Sequence, residues 1–453
     1  MNNELKPYDE YKETEYDWLE SVPKHWQELT IRSITKLSNE RNGRRNDLEL
    51  LSVYREYGVI KKSSRDDNHN VESQDLSNYK FVDKGYLVLN KMKMWQGSLG
   101  VSKYKGIVSP AYIVCRLVGD FNFTYINYLL RSPKFKTIYN RLSYGVRVGQ
   151  WDMRYDDFKN IKLYIPPIEE QEQIVKYLDF QLAKINKFIK VKKKLIAALK
   201  EQIECYVFGN ENRNSTNEIM SWDTAFPSNW LVAKSSKLTK EVNIKNNSTS
   251  ELIAVTQDRG VVYKKDCEQN YVSPSGDLSA LKLVRNGDFV ISLRSFQGGI
   301  EFSEIEGIVS PAYNVFSLRK EYSLYDYKMY YKYLFKTKMF ISALNTLVSG
   351  IRDGKNINYS DFSKLLLPIP PQKTIIKVCK LIEQYESIKK KFDNELILLN
   401  EFKVSLISDV VTGKVDVRNI VIDDILEKDT EPDETEDEII ESEEDISIGE
   451  SED

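Results

Sequence analysis

Two stretches of the chain carry the same long apolar rhythm. From Ile168 to about Tyr206 neither glycine nor proline interrupts the sequence. Apolar or long side chains recur there in steps of three and four: Val175, Leu178, Leu182, Ile185, Ile189, Lys192, Ile196, Leu199, Ile203 and Tyr206. The rhythm returns at Val378, Ile382, Tyr385, Lys389, Phe392, Leu396, Leu399, Lys403, Leu406 and Val410. Such spacing over about five heptads predicts a coiled-coil seam, not a short amphipathic helix. At 1.5 Å per residue each helix would run about 50–60 Å. Pro166 and Pro167 suit a helix entrance, where the missing N–H is no loss, and Glu169 and Glu170 place negative charge at the positive end of the dipole. The seam is expected from Leu178, Leu182, Ile185, Ile189, Ile196, Leu199 and Ile203 of the first helix. Its partners are Ile382, Tyr385, Phe392, Leu396, Leu399 and Leu406 of the second.

The segments ahead of these helices also repeat, at a period of roughly 200 residues. GIVSPAY stands at 106–112 and again at 307–313. VPKHW (22–26) answers to FPSNW (226–230), LLSVYREYGVI (50–60) to LIAVTQDRGVV (252–262), and GYLVLNKMKMWQG (85–97) to GDFVISLRSFQG (287–298). YGVRVGQWDMRYDDF (144–158) matches SGIRDGKNINYSDF (349–362), and LYIPP (163–167) matches LPIPP (367–371). Order and spacing hold throughout, so the chain is a duplication of a whole domain, not a solenoid. Short β-branched and aromatic runs bounded by Gly, Pro, Asn or Asp predict strands. A tyrosine-rich helical stretch follows in each copy, at 123–142 and 325–344. Each copy is therefore α+β.

Charge changes the picture. Residues 427–453 hold 15 acids and one lysine, a local charge of −14. The net −3 of the chain thus hides a body of about +11 over residues 1–426, with 64 Lys and Arg against 53 acids. A basic body suits a polyanionic partner. The tail is too poor in apolar residues to fold alone and reads as a disordered, solubilising segment. No run of about 18 apolar residues predicts a membrane helix, and the acidic, polar start does not read as a secretory signal. Cys115, Cys205, Cys267 and Cys379 are scattered, which predicts reduced thiols and a cytoplasmic protein.

Catalytic chemistry finds little support. There are two histidines, His25 and His69, and His25 falls where the second copy has Asn229, so no role shared by both halves needs an imidazole. Phosphate-loop, dinucleotide and metal motifs are missing from the sequence. Ser109 and Ser310 have no repeated His partner, and Asp157 and Asp361, in a Y-x-D-F context, read as helix-start caps. What repeats is a set of glycine turns carrying Arg, Lys, Gln and Asn. The candidates are Arg55, Lys91, Lys93, Gln96, Arg147, Gln150 and Arg154 in the first copy. In the second they are Gln257, Arg259, Arg294, Gln297, Arg352, Lys355 and Asn356. Arg and Lys pair with guanine O6/N7 and Asn and Gln with adenine N6/N7, while the same cations neutralise phosphates. The scaffold residues match between copies and the loop side chains differ, as two readers of different sequences should.

Together these features make the sequence similar to the specificity subunits of type I restriction–modification enzymes, over essentially residues 1–420. The resemblance rests on Trp18, Pro23 and Trp26, the paired strands, GIVSPAY, the helix start Ile165, Pro166, Pro167 and Gln171, and the long helix closing each half. It implies two target-recognition domains and an antiparallel coiled coil that sets the spacing of two DNA half-sites and docks two DNA methyltransferase subunits. It further implies motor–nuclease subunits in the full complex. S-adenosylmethionine, ATP and Mg2+ would then be used by those partners, and this chain would be non-catalytic. The expected organisation is a first recognition domain at 1–165, a helix at 166–208, a linker at 209–217, a second domain at 218–367, a helix at 368–412, an extension at 413–426 and the acidic tail at 427–453. The second helix departs from the pattern, starting PPQKTII without the acidic E-x-Q of the first. The alternative from another class is a coiled-coil adaptor whose paired modules bind proteins.

Overall fold

The computed structural model describes residues 5–45, 47–64, 73, 75–145, 151–209, 222, 225–257, 259–267, 278–293, 295–347 and 357–422. The two long helices span Ile168–Val207 and Gln372–Val411, 40 residues each, or about 60 Å. The carbonyls of Pro167 and Pro371 accept their first N–H groups.

The chain divides into two compact units, and the dividing lines cut through both helices. One unit joins Met1–Lys190 to a segment beginning at Asn394; the other is built on Val191–Asp393. In the first, Ile174, Tyr177 and Leu178 share a core with Leu406, Val410 and Val411. Further along, Lys403 Nζ donates to Asn186 Oδ1 at 3.1 Å, so the helices run antiparallel there. In the second, Ile203 and Val207 share a core with Ile375, Val378 and Ile382. Leu178, Ile185, Ile203, Ile382, Phe392, Leu396 and Leu406 are buried; Leu182, Ile189, Ile196, Leu199, Tyr385 and Leu399 are half-buried.

In the first unit Glu49–Tyr54 forms a hairpin with Gly58–Lys61 and runs parallel to Gly106–Val108, which pairs antiparallel with Lys80–Val82. A second sheet orders Thr35–Leu37, Ile113–Leu117, Tyr86–Leu89 and Leu99–Val101, all antiparallel. Leu87, Leu89, Ile113 and Cys115 face the main core. Val88 and Val114 face a smaller one with Leu51, Val53, Val59, Val82 and Val108. Burial on both faces is why these strands read as unbroken apolar runs. The second unit rebuilds the small core with Ile253, Val261, Val284, Val290, Val309 and Val315 at matching positions.

Each tyrosine-rich stretch is two helices, Phe123–Arg131 with Pro133–Leu142, and Tyr325–Leu334 with Lys338–Asn345. Pro133 ends one ladder and starts the next, while Thr337 caps its successor by accepting the Phe340 N–H at 3.3 Å. The expected aspartate caps are not formed. The short helices Tyr155–Phe158 and Tyr359–Phe362 have Arg154 and Asn358 at the N-cap, neither using its side chain. Asp157 and Asp361 sit inside the first turn, past the position from which a cap bridges the free N–H groups. Asp157 instead accepts from the Tyr144 hydroxyl at 3.5 Å, and Asp361 pairs with Lys364 at 2.9 Å.

The ends of the long helices are built alike. Gly209 and Gly413 follow them with φ of +69° and +77°, the left-handed turn that closes a helix. A Cβ on Gly413 would lie 2.3 Å from Pro23 Cδ, and one on Gly209 would lie 2.5 Å from Pro227 Cγ. The end of the first helix thus docks on the start of the second domain. The end of the second helix docks in the same way on the start of the first domain. The segment after it stays with the first unit: the Asp416 N–H donates to the Lys6 carbonyl at 2.8 Å, and Gln173 Nε2 donates to the carbonyls of Val417 and Ile420 at 3.0 and 2.8 Å. Beneath it lies Glu170, 7% exposed. Its carboxylate accepts from Tyr8 Oη at 2.7 Å and Trp26 Nε1 at 2.9 Å, and pairs with His25 Nε2 at 2.7 Å.

Candidate nucleic-acid interface

The described candidate side chains sit on two tips per unit. In the first unit one tip is the hairpin turn Arg55–Tyr57, left through Gly58 at φ +75°; the other is the turn after the strand Tyr86–Leu89, carrying Lys91, Lys93 and Gln96. Arg55 and Lys93 are exposed, Lys91 and Gln96 half-buried. In the second unit the hairpin turn carries exposed Gln257 and Arg259 and leaves through Gly260 at φ +71°; the turn after Phe289–Ile291 carries exposed Gln297. The positive φ in each hairpin is the reason for glycine at both positions.

The tips converge in both units, through a cation that the sequence pattern did not single out. Arg131, at the end of its helix, donates to the Leu99 carbonyl at 2.7 Å and to the Arg55 and Glu56 carbonyls at 3.1 and 2.5 Å. Burial pushes its guanidinium down to about 10, which leaves it charged at neutral pH. Lys336 holds the corresponding place. It donates to the Gly298 carbonyl at 2.8 Å and the Gln257 carbonyl at 3.3 Å, and pairs with the buried Glu301 carboxylate. Gln257 Nε2 then lies 3.4 Å from Gln297 Oε1. No sequence signal marks this pair, because a cation that binds carbonyls leaves no pattern in its acceptors, and LLRSP and YLFKT share little.

A third segment joins the first unit's tips. Lys91 Nζ pairs with Asp152 at 2.9 Å, the Met153 N–H donates to the Lys91 carbonyl at 3.0 Å, and Trp95 meets Trp151 edge-on at 5.3 Å. Arg154 is exposed over the Tyr144 ring, 4.8 Å from its centroid. Arg147, Gln150, Arg294, Arg352, Lys355 and Asn356 lie outside the described residues. Arg259 is turned aside, with Nη2 donating to the Asp266 carbonyl at 3.2 Å. Among the described residues no group of three or more His, Cys, Asp and Glu could hold a metal ion, and no helix is long and apolar enough to cross a membrane.

Replacing Arg131 with methionine is expected to free three carbonyls and loosen the hairpin, at a cost of about 2–3 kcal/mol. Urea unfolding would measure that loss. Hydrogen exchange should rise at residues 54–60 and stay unchanged at 256–262; a uniform rise would refute a local clamp.

Residues 23–204 match the family described as Type I restriction modification DNA specificity domain. The chain is 25% identical over 304 residues to a protein of Methanocaldococcus jannaschii named as the MjaX type I restriction enzyme specificity subunit, covering 65% of this chain and 68% of that protein. Its fold matches a solved chain from work on complex assembly and conformational transition of the type I R-M system, with TM-score 0.56 at 14% identity, covering 87% of this chain and 99% of that one. The HsdS subunit of Thermoanaerobacter tengcongensis aligns over 89% of this chain and 99% of its own, at 13% identity and TM-score 0.44.

Proposed function

Because the chain belongs to the family of type I restriction–modification specificity subunits, we propose that it reads a bipartite DNA site, one short segment per domain, and does no chemistry itself. The observation that carries this reading is the matched pair of converging tips. Scaffold and clamp are repeated, with Arg131 in one unit and Lys336 in the other, while the side chains at the tips differ. Each pair of tips enters a major groove and reads a few base pairs there. Half-sites read from one face of the duplex lie about one turn, roughly 34 Å, apart. The long helices set that interval and dock two DNA methyltransferase subunits, with motor–nuclease subunits completing the complex. S-adenosylmethionine, ATP and Mg2+ belong to those partners. The target adenine leaves the stack in the methyltransferase, not here.

Methylome sequencing of a host with and without this gene tests the proposal. One two-part methylated motif should vanish with the gene, and an unchanged methylome would refute it. Removing Arg147 or Arg352 should relax one half of that motif only. An equal loss across unrelated sequences would make the residue a phosphate contact.

A further inference from the structure

The one block of seven residues identical in both halves ends in a turn that faces outward. Core packing accounts for Gly106–Val108 and Gly307–Val309, which are buried strands. It does not account for Pro110 and Ala111, or Pro311 and Ala312, which are exposed. The Tyr112 N–H donates to the Ser109 carbonyl at 3.0 Å and the Tyr313 N–H to the Ser310 carbonyl at 3.1 Å, so each tip is a β-turn. Turn chemistry favours Ser first and Pro second but leaves the third position open to most residues. Both turns are also held from below. Ala111 and Ala312 donate to the Ser109 and Ser310 hydroxyls at 3.4 and 3.3 Å. Lys80 Nζ donates to the Tyr112 carbonyl, and Lys282 Nζ to the Tyr313 carbonyl at 2.7 Å. Burial lowers the pKa of both ammonium groups. A partly desolvated cation under each turn is a costly way to fix a loop that does nothing.

The two halves present this rigid turn on strands that carry different charges at their far ends. The strand leading to it is preceded by Lys103 and Lys105 in the first half and by Glu304 and Glu306 in the second, all exposed. These charges lie roughly 15–25 Å from the tip along the chain, and Glu304 is paired with Lys332 at 2.6 Å. A nucleic-acid backbone running along both strands would meet Lys103 and Lys105 in one half and, in the other, Glu306 with a Glu304 already paired to Lys332. An uncharged notch on a protein would be indifferent to that change. We infer that the two Ser-Pro-Ala turns are equivalent docking knobs, each seating its small apolar tip in the same notch on one of two copies of a partner protein. This rests on the proposed function, which supplies such a partner in the methyltransferase subunit.

The test substitutes the open third position. Ala111→Glu, Ala111→Lys, Ala312→Glu and Ala312→Lys keep the Ser, the Pro and the lysine clamp. Full-length chains are mixed with the methyltransferase subunit, weighed by native mass spectrometry, and assayed alone for duplex binding. The wild-type chain should carry two subunits, each single variant one, and a double variant none, whichever charge is introduced. Duplex binding by the free chain should stay within twofold, and melting curves should match the wild type. Two subunits retained by every variant would overturn the docking assignment and leave the proposed function standing. Duplex binding weakened by Glu and strengthened by Lys, with two subunits retained, would make the turns DNA contacts and overturn it as well. A wild-type chain that captures no subunit would overturn both readings. Should the glutamate variants unfold, the lysine variants decide alone.

Discussion

Replacing Glu170 with alanine is expected to cost about 2–4 kcal/mol, because two buried donors are left without an acceptor. Tyr8 and Trp26 would lose an acceptor in a site the carboxylate now fills, and His25 its hydrogen-bond partner. Glu170→Gln keeps the shape and one acceptor, so about half that loss is expected. Position 170 is Glu in the first helix and Thr374 in the second, where neither His25 nor Tyr8 has a like residue. Thr374→Ala should therefore fall within about 1 kcal/mol of wild type. Urea titration of the full chain checks all three. Equal losses for Glu170→Ala and Thr374→Ala would show that the network contributes nothing beyond the helix start.

The second large effect is expected at the paired glycines. Gly413→Ala forces a left-handed backbone on an L-residue, at about 1–2 kcal/mol, and drives a methyl group into the Pro23 ring. Overpacking of that kind adds about 1–3 kcal/mol. Gly209→Ala meets Pro227 and Trp230 in the same way, so the two variants should be destabilised by similar amounts, about 3 kcal/mol. Helical content by circular dichroism should hold. A loss of only about 1 kcal/mol would mean that the chain relaxes away from both prolines and the docking is loose.

Much of this was legible before any coordinate. The duplication showed because strands buried on both faces tolerate little change: Val82, Val88, Val108 and Val114 recur as Val284, Val290, Val309 and Val315. The helices showed because a stripe must repeat along their whole length to stay buried. What escaped was held by single contacts without periodicity. Arg131 and Lys336 act on carbonyls, which any residue supplies. The aspartates of Y-x-D-F looked like caps because a cap and a first-turn acid differ by only a few positions. The segment after Val411 looked like an extension, although V-F-G at 207–209 and V-T-G at 411–413 already matched.

The stretch from Asp416 to Ile420 completes the first unit, with the Asp416 N–H donating to the Lys6 carbonyl and Gln173 holding Val417 and Ile420. A circular permutant opened between Gly209 and Asn217, with a short tether joining the old ends and the acidic tail removed, would keep every contact described.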